Sequence, residues 1–295
     1  MLVLGAAISL FAQDSLTTVT KTQLPPHVKI TGLTVEVREE KLESKLMSRA
    51  MPYRVILPVG YETASESNHR YPVIYLLHGL TGHFNNWTDL TKLKDYASFP
   101  MAIYVTPEGG DGWYTDSVSK ASDKWESYII QELIPEVDKK FRTNTGRDQR
   151  AIAGLSMGGF GALKFGLKYP DKFVLAGSFS GALGAADITE KSFPGAIGKT
   201  IDGIFGPAGS DTRKANDLFA IIRSTTPEKT KTIPFIYLDC GTEDFLFQNN
   251  RDFVSLLIEK KVPHEYRQLP GAHEWKYWDK QVQEFLRVAN RFFAN

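Results

Sequence analysis

One serine of this chain lies between glycines in a pattern that is typical of an activated nucleophile. The segment GLSMG, residues 154–158, puts Ser156 between Gly154 and Gly158. The preceding residues, RAIAG, predict a strand, and the following residues, FGALKFGLKYP, predict a helix. We therefore predict a tight strand-to-helix turn that exposes the Ser156 hydroxyl, with glycines where a side chain would collide with neighbouring elements. The alternative is a glycine-rich turn with a packing role only.

A serine hydroxyl is a poor nucleophile at neutral pH and needs a base, which in turn needs an orienting acid. With a serine on such a turn, the acid and then the histidine follow the nucleophile along the chain. His273, in LPGAHEWKYW, lies between a Pro-Gly turn and the last predicted helix and is favoured as the base. His264 opens the strand-like run HEYRQLP and is interpreted as structural or exposed. His78 precedes the nucleophile and is interpreted as a strand-end residue bonded into its loop.

The acid is expected on the loop after the strand FIYLDCG, where three carboxylates are candidates. Asp239 falls within the strand and is interpreted as a buried polar residue. Glu243 and Asp244 both follow the Cys-Gly turn. Asp244 is favoured because it precedes FLFQNN and can point back from the loop onto His273, and Glu243 is the alternative.

Acyl transfer also requires two backbone N–H donors for the oxyanion that forms on the substrate carbonyl. One is predicted at Met157, the residue after the nucleophile. The other is predicted at Leu80, which follows a strand in LLHGLTGHFNNW. These two backbone groups form the predicted oxyanion hole.

The surrounding patterns predict an α/β fold. Five apolar runs are typical of strands buried on both faces, namely YPVIYLLHG, MAIYVTPEGG, RAIAGLS, KFVLAGSFSG and TIPFIYLDCG. Two earlier alternating segments, KITGLTVEVREEKL and MPYRVILPVGY, predict antiparallel strands. Helical periods occur in KWESYIIQELIPEVDKKF, QNNRDFVSLLIEKKV and DKQVQEFLRVANRFF. Strands alternating with helices predict a mostly parallel central sheet with helices on both faces.

The predicted domain organisation is simple. Residues 14–295 are interpreted as one catalytic domain, in which residues 182–224, rich in Gly, Pro and Asp, form a small cap-like or lid-like insertion. Residues 1–13 resemble the apolar region and cleavage site of a secretory signal. We therefore expect a periplasmic or secreted protein, and a cytoplasmic one if this segment is not a signal.

Five blocks of sequence resemble the esterase D-like group of α/β-hydrolases. They are YPVIYLLHGLTGHFNNW, EGGDGWYTDS, GLSMGGFGALKFGLKYPDKF, CGTEDFLFQNN and GAHEWKYWDKQVQEF. The group includes S-formylglutathione hydrolases, short-chain (tributyrin-type) esterases, feruloyl and acetylxylan esterases, and mycolyltransferases, and GGDGWYTDS is most similar to the short-chain esterases. The resemblance runs from about Lys29 to the C-terminus and implies an α/β-hydrolase fold. It implies the catalytic triad and the oxyanion hole at the positions predicted above, which are Ser156, Asp244 and His273, and Leu80 and Met157.

Aromatic residues in loops predicted to converge near the nucleophile are candidates for substrate contact. They are Trp87, Trp113, Tyr114, Phe245 and Trp275. Such side chains form apolar acyl pockets or stacking faces for a hydroxycinnamoyl ring, and packing on the core is the alternative. Trp278 is interpreted as packing between helix and sheet, and Glu126 as a first-turn helix residue without chemistry.

The composition argues against several other function classes. A formal net charge of +1 with scattered Lys and Arg predicts no nucleic-acid partner and no anionic membrane surface. No run reaches the roughly 18 apolar residues that span a bilayer. The lone Cys240 excludes an internal disulfide and a cysteine-based zinc cluster. The predicted chemistry needs no cofactor, and no spaced histidine pair backed by carboxylates predicts a metal site.

We therefore expect a serine carboxylesterase that hydrolyses small acyl esters through an acyl-enzyme. A feruloyl or acetylxylan esterase acting on plant cell-wall polysaccharide is the alternative, because it would use the same triad with a different pocket. An acyltransferase and an S-formylglutathione hydrolase are further alternatives. The expected partner is a small-molecule or polysaccharide-linked ester, and the sequence defines neither the acyl and alcohol groups nor the oligomeric state.

Overall fold

The described part of the chain folds around an eight-stranded sheet. The computed structural model describes residues 35–62 and 68–294. The strands are β1 (Glu36–Ser44), β2 (Arg49–Leu57), β3 (Val73–Leu77), β4 (Ile103–Pro107), β5 (Arg150–Leu155), β6 (Leu175–Phe179), β7 (Phe235–Gly241) and β8 (His264–Leu269). The strand order in the sheet is β1-β2-β4-β3-β5-β6-β7-β8. The pairs β1–β2 and β2–β4 are antiparallel, and the remaining pairs are parallel.

The predicted strands are present in this sheet. The five apolar runs form β3 to β7, and every residue of β3, β4, β5 and β6 is buried. The two alternating segments overlap β1 and β2, although residues 29–34 of the first lie outside the described residues. The predicted α/β fold with a mostly parallel sheet is confirmed.

Helices connect the strands and cover the sheet. They are α1 (Asn86–Asp89), α2 (Leu93–Tyr96), α3 (Trp125–Ser127), α4 (Ile134–Lys140), α5 (Met157–Lys168), α6 (Ala196–Phe205), α7 (Asp211–Asn216), α8 (Leu218–Arg223), α9 (Pro227–Thr230), α10 (Phe247–Glu259) and α11 (Trp275–Phe293). Alternate side chains of β3 enter two different cores, because successive strand residues point to opposite faces. Tyr75 and Leu77 pack in the core that includes α5, whereas Ile74 and Leu76 pack in the core that includes α11.

The helix predicted over KWESYIIQELIPEVDKKF is not a uniform α-helix. A wider π-helical segment, Tyr128–Leu133, joins α3 to α4. Within it, Glu132 reaches the turn between β1 and β2, where its carboxylate accepts the N–H groups of Lys45 (3.0 Å) and Leu46 (3.2 Å). The apolar spacing of the sequence does not distinguish these two helix types, because both bury one face of the segment.

The segment 182–224, predicted as an insertion, lies between β6 and β7 and contains α6, α7 and α8. The buried Arg213 holds it together, since its guanidinium donates to the carbonyls of Gly206 (2.7 Å), Ala186 (2.7 Å) and Ile188 (2.6 Å). A lid role for this segment stays a prediction.

The described residues, 35–62 and 68–294, belong to one compact unit. The predicted signal segment, residues 1–13, lies outside the described residues. Within the described ranges, none of the helices combines the length and the apolar character needed to cross a membrane.

Glu126 belongs to a buried ion network, which its interpretation as an ordinary helix start did not anticipate. Its carboxylate lies 2.9 Å from Nζ of Lys164 and 2.6 Å from Nζ of Lys168, and it accepts the Tyr169 hydroxyl at 2.7 Å. Burial alone would raise the pKa of Glu126, but the two ammonium groups lower it to about 2. The fully buried Lys164 also donates to Thr115 Oγ1 (2.8 Å), so the network supports the loop that follows β4.

Replacing Glu126 by Gln is expected to lower the free energy of unfolding by about 3 kcal/mol near neutral pH, because Lys164 is left buried without its counter-charge. The pKa of Glu126 is depressed from 4.5 to about 2, so this stabilisation is present above pH 4.5 and lost as the pH falls towards 2. Urea unfolding of wild type and Glu126→Gln at about pH 7 and about pH 3 measures both effects. The exposed control Glu43→Gln should stay within about 0.5 kcal/mol of wild type. A stability gap that is equal at both pH values would contradict this account.

Candidate active site

Ser156 occupies the turn between β5 and α5 in a backbone conformation that few non-glycine residues adopt. Its φ is 53° and its ψ is −117°, in a region that costs on the order of 1–3 kcal/mol. Three backbone hydrogen bonds hold it there. The Ser156 N–H donates to the Phe179 carbonyl (2.9 Å), and the Ser156 carbonyl accepts the N–H groups of Phe160 and Ala182 (both 3.1 Å).

The glycines that flank Ser156 are required by close contacts between backbones. A Cβ on Gly154 would lie 2.4 Å from the carbonyl group of Gly158. A Cβ on Gly158 would lie 2.5 Å from the carbonyl oxygens of both Leu77 and His78, at the end of β3. Real Cβ atoms do not come this close, so both positions need glycine for the start of α5 to pack on the sheet. The predicted steric reason for the glycines is therefore confirmed.

Three polar side chains from separate loops form a continuous line of hydrogen bonds. His273 Nε2 lies 3.0 Å from Ser156 Oγ, and His273 Nδ1 lies 2.8 Å from Asp244 Oδ2. The Asp244 side chain is fully buried, whereas that of His273 is 19% exposed. The structure thus brings together the serine, the histidine and the acid that were favoured on the sequence, with the imidazole accessible from solvent.

The surroundings of Asp244 keep it ionised. Burial alone would raise its pKa, but the hydrogen bonds from the His273 ring and from the Leu246 N–H (2.8 Å to Oδ1) lower the pKa below its ordinary value. A carboxylate only accepts hydrogen bonds, so the proton of the neutral imidazole sits on Nδ1 of His273 and leaves Nε2 free to accept from Ser156. This arrangement is the tautomer that base catalysis by His273 requires.

The residues that the sequence offered as alternative acids and as an alternative base lie outside this line of hydrogen bonds. Glu243 is exposed. Asp239 is fully buried within β7, and burial, the largest influence, raises its pKa well above the usual range. His264 is bonded through Nδ1 to the Val262 carbonyl (2.7 Å) at the start of the edge strand β8. None of these three side chains is hydrogen-bonded to Ser156 or His273 among the described residues.

The His273 ring is packed between two aromatic side chains. Trp278, in the first turns of α11, contacts it edge to face, with centroids 4.9 Å apart and planes at 90°. Phe245, next to Asp244, lies 4.6 Å away. Trp278 is buried in the helix-to-sheet core as predicted, and its contact with His273 is a second role that the sequence analysis missed. The spacing of five positions between His273 and Trp278 carried no signal for it.

The loop after β3 lies directly against Ser156. A Cβ on Gly79 would lie only 3.4 Å from the Ser156 Cβ. Leu80, the next residue, is half-buried, and Met157 is the first residue of α5. The first N–H groups of a helix have no partner within that helix, so the Met157 N–H is available to a ligand. Both predicted oxyanion donors therefore belong to segments adjoining the Ser156 hydroxyl, and their catalytic role stays a prediction.

His78 anchors this loop, in agreement with its interpretation on the sequence. Its Nε2 accepts the Gly109 N–H (2.8 Å), so its Nδ1 carries the proton and donates to the Gly79 carbonyl (2.8 Å). The Tyr114 hydroxyl donates to the His78 carbonyl (3.0 Å).

Glu108 is a second anchor, and the sequence analysis did not single it out. Its carboxylate accepts the N–H groups of Gly110 (2.8 Å) and Phe84 (3.2 Å). Burial alone would raise the pKa of Glu108, but these two N–H groups stabilise its carboxylate and lower the pKa. An ionised Glu108 thus ties the loop after β3 to the loop after β4.

Among the described residues, no group of three or more His, Cys, Asp or Glu side chains is arranged to hold a metal ion. The arrangement of Ser156, His273 and Asp244 suits nucleophilic attack on a carbonyl carbon.

The Esterase family model matches residues 44–288 of the chain.

The chain belongs to the esterase family. This esterase is 29% identical over 249 residues to an acetyl esterase of Caldicellulosiruptor saccharolyticus, in a match that covers 81% of this chain and 92% of that protein. It is 31% identical over 247 residues to esterase Rv1288 of Mycobacterium tuberculosis (strain ATCC 25618 / H37Rv), covering 75% of this chain but only 52% of that protein. A solved ferulic acid esterase superposes with a TM-score of 0.77 at 28% identity, covering 88% of this chain and 99% of that chain.

These matches confirm the resemblance to the esterase D-like group and the α/β-hydrolase fold. They also show that this esterase is a carboxylic ester hydrolase.

The aromatic residues predicted to contact substrate do not form one surface in this esterase. Trp87 and Tyr114 are fully buried, and their polar atoms donate to the backbone carbonyls of Leu77 (3.0 Å) and His78 (3.0 Å). The prediction was wrong for these two residues, because their loops converge near Ser156 while the side chains pack inward.

The other three aromatic candidates differ in exposure. Trp113 is 4% exposed and packs on Phe160, with no acceptor for its Nε1–H in the described part of the chain. Trp275 is half-buried against Trp87. Phe245 is 77% exposed beside His273. Substrate contact by these three side chains stays a prediction, and Phe245 is the one that is freely accessible.

The close contact at Gly158 gives a direct test of the site geometry. Gly158→Ala is expected to lower both the stability, by about 1–3 kcal/mol, and kcat/KM, because the new methyl group pushes the start of α5 away from the loop that carries Leu80. The matched control is Gly146→Ala, whose Cβ would meet only the flexible exposed side chain of Asp148. Thermal unfolding and kcat/KM for 4-nitrophenyl acetate measure the two effects. Equal behaviour of the two variants would show that the contact does not shape the site.

Proposed function

We propose that this esterase is a serine carboxylesterase that hydrolyses small acyl esters, with Ser156, His273 and Asp244 as its catalytic triad. The observation that carries the proposal is the unbroken hydrogen-bond line through His273, 3.0 Å to Ser156 Oγ on one side and 2.8 Å to Asp244 Oδ2 on the other. The strained, accessible position of Ser156 on the strand-to-helix turn supports its role as the nucleophile.

In the first half-reaction, Ser156 Oγ attacks the ester carbonyl carbon while His273 Nε2 takes the hydroxyl proton. The carbonyl π electrons move onto oxygen, and the N–H groups of Leu80 and Met157 stabilise the resulting oxyanion. When the intermediate collapses, the bond to the alcohol oxygen breaks and His273 returns the proton to the departing alcohol. The acyl group remains on Ser156.

Water completes the cycle by the same steps. His273 takes a proton from water, the hydroxide oxygen attacks the acyl carbon, and the second oxyanion occupies the same pair of N–H groups. Collapse releases the carboxylic acid and returns the proton to Ser156 Oγ. Throughout, the buried negative charge of Asp244 stabilises the imidazolium that forms transiently on His273.

A feruloyl ester is the second candidate substrate, and one observation favours it. Phe245 exposes 77% of its surface and stacks at a tilt 4.6 Å from the His273 ring, so it offers an aromatic face at the rim of the site. A hydroxycinnamoyl ring could stack on that face. The ferulic acid esterase that superposes on this chain supports the same reading.

The triad is tested by substitution. Ser156→Ala should abolish turnover of 4-nitrophenyl acetate, and Asp244→Asn should lower kcat about 10⁴-fold, because an amide favours the wrong tautomer of His273. The matched control is Glu243→Gln, an exposed neighbour that should retain wild-type activity. Circular dichroism checks that each variant is folded. Loss of activity in Glu243→Gln with a fully active Asp244→Asn would assign the acid to Glu243 instead.

The acyl preference is tested with kcat/KM for acetyl, butyryl, octanoyl and feruloyl esters of comparable alcohols. We expect a maximum at acetyl or butyryl, with feruloyl esters poor. Phe245→Ala should lower kcat/KM for the feruloyl ester roughly threefold to tenfold relative to the acetyl ester, the value of an exposed aromatic contact. Ile258→Ala, which removes another exposed apolar side chain, on α10, is the control. A feruloyl maximum would make the second candidate the correct one.

A further inference from the structure

The two predicted oxyanion donors come from different segments of the chain, so their spacing depends on contacts between those segments. The Met157 N–H begins α5, whereas the Leu80 N–H lies in the loop after β3. The segments touch at Gly158, where a Cβ would lie 2.5 Å from the His78 carbonyl oxygen. Two donors stabilise one oxyanion only when both lie about 2.7–3.1 Å from the same oxygen. The contacts that hold the loop after β3 against α5 therefore bear on the reaction.

The Tyr114 side chain spans the space between α5 and this loop. Its ring lies against α5, since a Cβ on Gly161 would lie 2.6 Å from the ring, and a Cβ on Gly109 would lie 2.5 Å from it. The hydroxyl donates to the His78 carbonyl at 3.0 Å. The oxygen that faces Gly158 is thus also held by a fully buried ring that is closely packed by two glycines.

The backbone of Tyr114 is held to the same helix. Tyr114 has a φ of 50°, in the left-handed region that few non-glycine residues adopt. Lys164, about two turns along α5 from Met157, donates to the Tyr114 carbonyl and to Thr115 Oγ1 (2.8 Å). The helix that begins with one predicted donor therefore also holds the residue that supports the loop of the other donor.

The peptide unit that contains the Leu80 N–H is itself fixed. Its carbonyl belongs to Gly79, because a peptide plane joins the C=O of one residue to the N–H of the next. That carbonyl accepts the His78 Nδ1–H at 2.8 Å and the Gly82 N–H at 3.1 Å. The two groups of a trans peptide point in opposite directions, so these bonds also fix the direction of the Leu80 N–H.

A second side chain from the loop after β4 holds the residue that follows Leu80. Asp111 Oδ1 accepts the Thr81 N–H at 2.7 Å, and Thr81 has a φ of 61°. Both Asp111 and Thr81 are exposed, in contrast to Tyr114. The loop after β4 thus contacts the loop after β3 on both sides of Leu80.

We propose that Tyr114 and Asp111 are positioning residues of the oxyanion hole. They hold the Leu80 N–H at the distance from the Met157 N–H that a shared oxyanion requires. Tyr114 acts through the His78 carbonyl and Asp111 through the N–H that follows Leu80. The inference deepens the proposed function and rests on it for the oxyanion hole. It also gives Tyr114 a role inside the protein in place of the substrate contact expected from the sequence.

Tyr114→Phe tests the hydroxyl, since it keeps the ring. kcat for 4-nitrophenyl acetate should fall roughly tenfold, less than the loss of about 10²–10³-fold that follows removal of a donor. KM should not change, because both half-reactions pass through an oxyanion and slow down together. The matched control is Tyr104→Phe, which removes another buried hydroxyl that donates to a backbone carbonyl (Pro100, 2.9 Å), in the core that includes α11. The control should keep the wild-type kcat.

Inhibition by 1,1,1-trifluoroacetone measures the oxyanion hole separately from turnover. Ser156 Oγ would add to the ketone carbon, its proton would pass to His273, and the ketone oxygen would become the oxyanion. The inhibition constant should rise roughly tenfold in Tyr114→Phe, in parallel with the fall in kcat, and stay at the wild-type value in Tyr104→Phe. A purely structural role of Tyr114 would lower the thermal stability without changing this constant.

Asp111→Ala tests the second contact on an exposed side chain. It should lower kcat for 4-nitrophenyl acetate roughly threefold with KM unchanged, because one hydrogen bond to the loop is lost. Asp111→Asn should restore much of the activity, since its amide oxygen can still accept the Thr81 N–H.

The outcomes separate this inference from the proposed function. Wild-type kcat and a wild-type inhibition constant in Tyr114→Phe, or a raised KM with an unchanged kcat, would overturn the positioning role of Tyr114. The same results in Asp111→Ala would overturn that of Asp111. If Ser156→Ala is inactive, either result leaves the proposed function intact. Full turnover by Ser156→Ala would instead reject the proposed function.

Discussion

The left-handed backbone at Ser156 is the constraint on which the rest of the site depends. A φ of 53° costs a non-glycine residue on the order of 1–3 kcal/mol, and the fold must offset that cost locally. It does so by placing the turn at the end of β5, between β3 and β6 in the middle of the sheet, where both faces are covered. Because Gly154 and Gly158 have no side chains, the backbones of β3, β5 and α5 can come into direct contact.

The same kind of strain recurs around the site, at Thr81, Trp113, Tyr114 and Ser180, all of which have positive φ. These residues follow the ends of β3, β4 and β6, next to Ser156 in the sheet or one strand away. Buried polar groups hold them in place. Lys164 donates to the Tyr114 carbonyl. His78 and Glu108 join the loop after β3 to the loop after β4. Loops held by buried hydrogen-bonded anchors are rigid, and rigid donors stabilise a transition state without reorganising during the reaction.

Local features of the sequence were sufficient to predict the fold and the strand-to-helix turn that carries Ser156, the proposed nucleophile. Buried strands have a distinct apolar signature, their alternation with helices implies a parallel sheet, and glycines on both sides of Ser156 reflect steric demands that act within a few residues. The order of elements also narrowed the predicted base to His273, in the loop after β8. The sequence was less decisive between Glu243 and Asp244, because adjacent residues on one loop have nearly the same spacing from His273.

The tertiary structure decided everything that depends on side-chain direction and on contacts between distant segments. Trp87 and Tyr114 come from the expected loops but point into the core, and no local pattern encodes that direction. The pairing of Glu126 with Lys164 and the contact of Trp278 with His273 arise only when separate elements pack together. The sequence by itself therefore determined the secondary-structure elements and the order along the chain of the proposed catalytic residues, since these follow from local periodicity and steric demand. The packing of the sheet and helices determined which polar and aromatic groups meet around Ser156.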